Sequence, residues 1–249
     1  MKNITIGFSP CPKDTFIFNR LVHALPDDLP VFDPPCLEDV ETLNRWAFEH
    51  RLDVTKLSYH AVGHLLDEYC VLPSGGALGR GCGPLLVTRE DISTSDLLGK
   101  RIAIPGKYTT AALLFRMFLP HCTDLVEMRF EQIMDAVSNG DVAGGVIIHE
   151  SRFTYQKIGL RCVQDLGQWW EDTSGMMIPL GCIAVRRKLG GTVISAIDRQ
   201  IKASVNWARS HPAEGRAWIE SHAQETEKAV IDSHIDLYVN EFSYDLGEE

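Results

Sequence analysis

With 249 residues, 45% hydrophobic and 23% charged, the chain has an ordinary globular composition, enough for one large domain or two small ones. Its 34 acidic against 24 basic residues give a net charge of −10, and no Lys/Arg run stands out, which argues against nucleic acid as a partner. An anionic ligand would have to be held by local dipoles and a few placed cations.

Seven cysteines are scattered without a CxxC pair or zinc-finger spacing, so reduced thiols and no metal site are expected. Only a short apolar strand separates Lys2 from a Ser/Pro/Asp cluster, which is unlike a signal peptide, and no apolar run is long enough to span a membrane. A cytoplasmic protein is expected.

In chain order, residues 3–8 read as a strand, broken by Ser9-Pro10-Cys11-Pro12-Lys13-Asp14-Thr15, and residues 16–23 have helical spacing. A short strand candidate at Val31-Phe32 precedes a helix opened by acids at 38–41 and running through Trp46 and Phe48. Residues 54–57 form a strand, with Ser58 as N-cap of a helix over 59–66. The Gly-rich stretch 74–83 leads into a strand at 84–87. It lacks GxxxxGK[ST] and precedes a strand, so a phosphate loop is not expected. Residues 101–104 form a strand feeding a helix over 109–118. A helix over 131–137 is stopped by Asn139-Gly140, and a strand follows at 142–148. Further strands are expected at 161–165 and 181–186, then helices over 193–208, 212–222 and 227–239. The last residues, 245–249, read as the start of a helix.

Strands alternating with helices indicate an α/β protein with a largely parallel sheet. Hinge crossings at 84–89 and 183–187 would make residues 90–182 an inserted second lobe, with 1–89 plus 183–249 forming the first. A ligand cleft between two such lobes is the expectation.

Four strand-to-helix junctions share a chemistry. They carry Ser9, Asp14 and Thr15; Lys56 and Ser58; Thr109, Thr110 and Ala111; and His149. Helix N-termini bind carboxylates and phosphates through unpaired N–H groups and the helix dipole, and Lys56 adds a point charge. Together they suit a small hydroxylated carboxylic acid. Individually, Ser58 and Thr109 or Thr110 are more readily read as N-caps alone, a lone His at a strand end as structural or solvated, and Cys11, with no evident paired base, as a packing residue. For His149 a helix N-terminus would favour the neutral ring that a general base requires. Adjacent Glu150 faces elsewhere and does not orient it.

The blocks GFSPCPKDTFIF, LEDVETLNRWAF, TKLSYHA, SGGALGRGCGPLLV, GKYTTA, GVIIHESRFTY and DLGQWWE occur in this order along the chain. In them the sequence resembles the 1,4-dihydroxy-6-naphthoate synthases of the futalosine route to menaquinone, over essentially its whole length. The resemblance implies a two-lobed periplasmic-binding-protein-like α/β fold used by a soluble enzyme. It also implies conversion of cyclic dehypoxanthinylfutalosine to 1,4-dihydroxy-6-naphthoate with release of the sugar-derived fragment, without metal or organic cofactor. It places the proton-acceptor role on His149 and substrate contacts on Lys56, Leu57, Ser58, Thr110 and Ala111, to which the junction chemistry adds Ser9.

Two departures from the family pattern stand out. Lys13 occupies a position where the family usually has Asn, and the family continues past the GEE end with a further helix, so a shortened chain is expected. The alternatives are a chorismate dehydratase of the same pathway, or a non-catalytic carboxylate-binding protein.

Overall fold

The computed structural model describes residues 3–23 and 30–247. Among these, strands β1 (Ile6–Phe8), β2 (Cys36–Leu37), β3 (Val54–Ser58), β4 (Tyr69–Val71) and β5 (Ala77–Gly79) occupy the first third of the chain. They are followed by β6 (Leu85–Thr88), β7 (Ile102–Ile104), β8 (Leu125–Glu127), β9 (Gly144–Ile147), β10 (Arg161–Asp165) and β11 (Ile178–Arg186). The chain divides into two compact units, Met1–Leu78 with Gly181–Glu249, and Gly79–Leu180. The first crossing thus falls earlier than the hinge expected at 84–89. The cause is β6, which pairs with β9 and β10 and so belongs to the second unit.

In the first unit the strand order is β2-β1-β3-β11-β4, with β5 beside β11. The β1–β2 and β1–β3 pairs are parallel, but β11 runs antiparallel to both β3 and β4. The second unit has the order β10-β6-β9-β7-β8. There β7 is parallel to β8 and β9, while β6 is antiparallel to β9 and β10. Both sheets are therefore mixed, where a largely parallel sheet was expected. Helical crossovers generate the parallel pairs, and the antiparallel ones arise at β6 and β11, the strands beside the two crossings.

Each unit has its own core. One face of the first sheet, with Ile6, Phe8, Val54, Ile183 and Val185, packs on the helices Pro12–His23 and Gly191–Ser210 through Ile17, Phe18, Ile197, Ile201 and Val205. The Phe8 and Phe18 rings stack at 4.3 Å. On the opposite face Leu57, Cys182 and Ala184 pack with Ala47, Val62 and Tyr69. In the second unit Leu85, Val87, Ala103 and Ile147 pack on Ile133 and Val137 of the helix Phe130–Asn139. That helix ends where expected, at Gly140 with φ 81°.

Several local expectations change. The first helix begins at Pro12, because proline at the first helical position loses no needed N–H. Phe32 makes only a single bridge, to Ile4, and the strand lies at Cys36–Leu37. The helix after Ser58 is one turn, Tyr59–Val62. Near the C-terminus the helix is Glu241–Tyr244, and the Leu246 N–H then donates to the Pro73 carbonyl at 2.8 Å, so the chain leaves helical geometry there. The rest of that expected helix, residues 248 and 249, lies outside the described residues. No helix among the described residues is long and apolar enough to cross a membrane.

Candidate active site

In the first unit, two strand ends supply a compact polar cluster. After β1 the Cys11 N–H donates to Ser9 Oγ at 3.3 Å, and the Ser9 N–H donates to Asp14 Oδ2 at 3.3 Å, folding the Ser-Pro-Cys-Pro turn back on the first turn of its helix. Asp14 is fully buried. Its Oδ1 accepts from Lys56 Nζ at 3.0 Å and lies 3.5 Å from Lys13 Nζ, which also donates to the Gly75 carbonyl at 3.0 Å. Two buried lysine amines therefore share this carboxylate.

Their protonation differs for physical reasons. Burial, then repulsion from Lys56, bring Lys13 down to about 7 against the opposing pull of Asp14. Burial also works against Lys56, but the charge of Asp14, the Cys11 thiol and the direct hydrogen bond outweigh it, and Lys56 stays above its ordinary value. Cys182, on β11 next to β3, is pushed by burial up to about 12 although both lysines pull it down.

Along β3, Lys56 and Ser58 share one face by the two-residue period, while Leu57 faces the core and is fully buried. Any ligand contact from Leu57 is thus a main-chain one. Ser58 has the backbone geometry of an N-cap but makes no side-chain capping bond. Instead Asn44 holds it twice, through Nδ2 to Ser58 Oγ at 3.1 Å and Oδ1 from the Ser58 N–H at 3.0 Å.

Asn44 was not among the sequence candidates. It lies on the buried stripe with Leu43 and Ala47 in the helix Val40–Phe48, whose N-cap is Asp39. A polar residue on an apolar helical stripe is the signal that could have found it. His234 gives the same signal, buried between Val230, Ile231 and Tyr238 on the helix Lys228–Tyr238. One of its ring nitrogens lies within 4.8 Å of Cys11 Sγ, so Cys11 has the imidazole neighbour that the sequence did not reveal.

In the second unit, Thr109 caps the helix Thr110–Phe118: its Oγ1 accepts from the Ala112 N–H at 3.1 Å and donates to the Gly106 carbonyl at 2.8 Å. Thr110 Oγ1 donates to the Leu180 carbonyl at 2.8 Å, and Ala111 is buried. The N–H groups of Thr110 and Ala111 occupy the first turn, where an anion is favoured.

His149 follows β9 with φ 55°, one of two non-glycine residues with positive φ among those described. That conformation costs roughly 1 kcal/mol or more, so the surroundings must hold it. Its ring is half-buried and meets the Phe130 ring edge-on, centroids 4.9 Å apart. The helix after it, Ser151–Thr154, is a single turn that passes directly into a 3-10 turn, Tyr155–Ile158. So short a helical stretch sums few peptide dipoles, which weakens the argument that a dipole holds this imidazole neutral. What the structure shows instead is a backbone conformation unusual for a non-glycine residue, at a strand end, carrying an imidazole.

The family described as "Menaquinone biosynthesis" matches residues 4–249. A Thermus thermophilus protein named 1,4-dihydroxy-6-naphthoate synthase is 50% identical over 249 residues, covering all of this chain and 90% of the relative. A Streptomyces coelicolor protein of the same name is 44% identical over 251 residues, covering 99% of this chain and 88% of the relative. The crystal structure of an Archaeoglobus fulgidus protein superposes with a TM-score of 0.93 at 35% identity, covering 99% and 91% of the two chains. The periplasmic aliphatic sulphonate-binding protein of Escherichia coli superposes at 0.68 with 12% identity, covering 96% and 79%, a likeness of fold.

Proposed function

The chain belongs to the menaquinone-biosynthesis family, and on that premise we propose that it is a lyase converting cyclic dehypoxanthinylfutalosine to 1,4-dihydroxy-6-naphthoate with release of the sugar-derived fragment. The observation that carries this reading is the identity of 50%, over all of this chain, to a relative named 1,4-dihydroxy-6-naphthoate synthase. Over that length the alternatives, a chorismate dehydratase and a non-catalytic carboxylate-binding protein, are disfavoured. The enzyme works in the cytoplasm on a small-molecule carboxylate, with nucleic acid no part of its function.

In this reading His149 is the general base. Proton abstraction starts cleavage of the bond to the sugar-derived fragment, and formation of the aromatic diol supplies much of the driving force. Lys56 and Ser58, the main chain of Leu57, Ser9, and the N–H groups at Thr110 and Ala111 receive the carboxylate and the oxygen on which negative charge develops. The chain's own groups suffice for these steps, without metal or organic cofactor.

The test is turnover of cyclic dehypoxanthinylfutalosine by His149→Ala and His149→Asn. Product formation is expected to fall at least about 100-fold, the lower range for a general base, with the fold retained. Wild-type turnover in either variant removes His149 from the role. Release of 3-enolpyruvylbenzoate from chorismate by the wild-type protein would overturn the substrate assignment.

A further inference from the structure

His149 needs an external support. Its backbone sits in the left-handed region, and the helical turn that follows it, Ser151–Thr154, runs only into a 3-10 turn, Tyr155–Ile158, a stretch too short to be stable by itself. The third residue after His149 is Arg152, whose N–H donates to the His149 carbonyl at 3.3 Å. Its guanidinium reaches out of the turn in two directions: to the Gly83 carbonyl at 2.6 Å and to Asp165 Oδ2 at 2.6 Å. The Arg152 and Asp165 side chains are only 17% and 24% exposed, so solvent screens the pair less than an open surface pair.

Both anchors are themselves fixed. Asp165 Oδ1 accepts from the Gly167 and Gln168 N–H groups, capping the helix Leu166–Ser174. Gly83 lies directly against Gly167, close enough that a Cβ on Gly83 would come within 2.3 Å of the Gly167 Cα. Arginine suits this task because its planar fork holds two acceptors at a set angle, which an ammonium cannot do.

We infer that Arg152 is a positioning residue, clamping the turn after His149 to Gly83 and Asp165 so that the imidazole is held in its left-handed, Phe130-packed placement. The inference rests on His149 being the base. Arg152 touches the reaction only through His149, and Asp165 acts through Arg152.

The experiment compares Arg152→Met, Arg152→Lys and Asp165→Asn in the full chain. Steady-state kinetics on cyclic dehypoxanthinylfutalosine is paired with long-range ¹H–¹⁵N spectra of ¹⁵N-histidine-labelled protein, in which the His149 signals are identified by their loss in His149→Asn. All three variants are expected to lower kcat by about 10- to 100-fold, the scale of a small misplacement, with KM within about threefold. The His149 ring signals should shift or broaden in each. Arg101→Met, which removes an exposed pair with Asp124, should leave both readouts unchanged. Arg152→Lys should recover stability before it recovers kcat, whereas a purely structural arginine would recover both together.

Wild-type kcat with unmoved His149 signals in a folded Arg152→Met or Asp165→Asn protein overturns the inference. If Arg152→Met does not fold, the lysine and Asp165 variants decide it by the same criteria. Full turnover by His149→Asn would instead sink the base assignment, while the ring signals would still report whether Arg152 positions the imidazole.

Discussion

Replacing Lys13 with Met tests the buried cluster through the pH dependence of stability. In the folded protein Lys13 loses its proton near pH 7, because burial and Lys56 oppose its charge, against an ordinary value of 10.5. Between these values the unfolded chain holds about one more proton at this site than the folded one. Raising the pH therefore favours the folded state: the contribution is fully present above 10.5 and is lost as pH falls through about 7. Each pH unit inside that window adds at most about 1.4 kcal/mol, or roughly 2–3 kcal/mol between pH 7 and 9. Methionine keeps the unbranched apolar stem and removes the ammonium. Urea denaturation of both proteins at pH 6, 7, 8 and 9 gives the wild-type-minus-variant difference, expected to be nearly flat up to pH 7 and to rise beyond it. The Cys182 thiol, pushed up to about 12, acts in the opposite sense only above its ordinary 9, at the upper edge of the range assayed. A difference that is flat or falls from pH 7 to 9 would show that Lys13 stays charged in the fold, and the account in which burial and Lys56 drive off its proton would be wrong.

Gly83→Ala should destabilise the second unit by about 1–3 kcal/mol, the range for overpacking, because the new methyl meets the Gly167 backbone, whose N–H is tied to Asp165. Gly191→Ala, where a Cβ meets nothing within 4 Å, should stay within about 0.5 kcal/mol in the same thermal melts. Thr109→Ala removes the cap on the helix Thr110–Phe118 and should cost about 1–2 kcal/mol. Chemical denaturation would read it, and an unchanged midpoint would refute the capping role.

The sequence made the periodic elements legible, and local order in the site with them. The helices Val40–Phe48 and Phe130–Asn139 announce themselves by apolar spacing and terminal residues, Asp39 at one start and Gly140 at the other end. Strands β4 and β8 were missed because three residues carry almost no period. The helix Leu166–Ser174 was missed because its sequence is largely polar, and its start is fixed by an Asp165 cap that also serves a strand. Strand direction was misjudged for a different reason. Alternation of strands and helices describes crossovers, but β11 pairs with β3 after an excursion of some hundred residues, which no local pattern encodes.

The same distinction separates the parts of the site. Lys56 and Ser58 on β3, the Thr109 cap and His149 after β9 were legible as candidates because they lie in or soon after strands, which hydrophobic runs reveal. What fixes them could not, because each support comes from a remote element: Asn44 onto Ser58 from fourteen residues away, Asp14 onto Lys56 from forty-two, and Asp165 onto Arg152 beside His149 from the far end of β10. A polar residue interrupting an apolar stripe, as at Asn44 and His234, is the one local trace such supports leave. Arg152 leaves none, since an arginine in a short turn carries no pattern that sequence alone reveals. The role inferred for it rests on a physical argument that only the fold supplies: a histidine at φ 55° followed by a short helical stretch needs something outside that stretch to hold it, and the guanidinium fork reaches two acceptors that are themselves fixed.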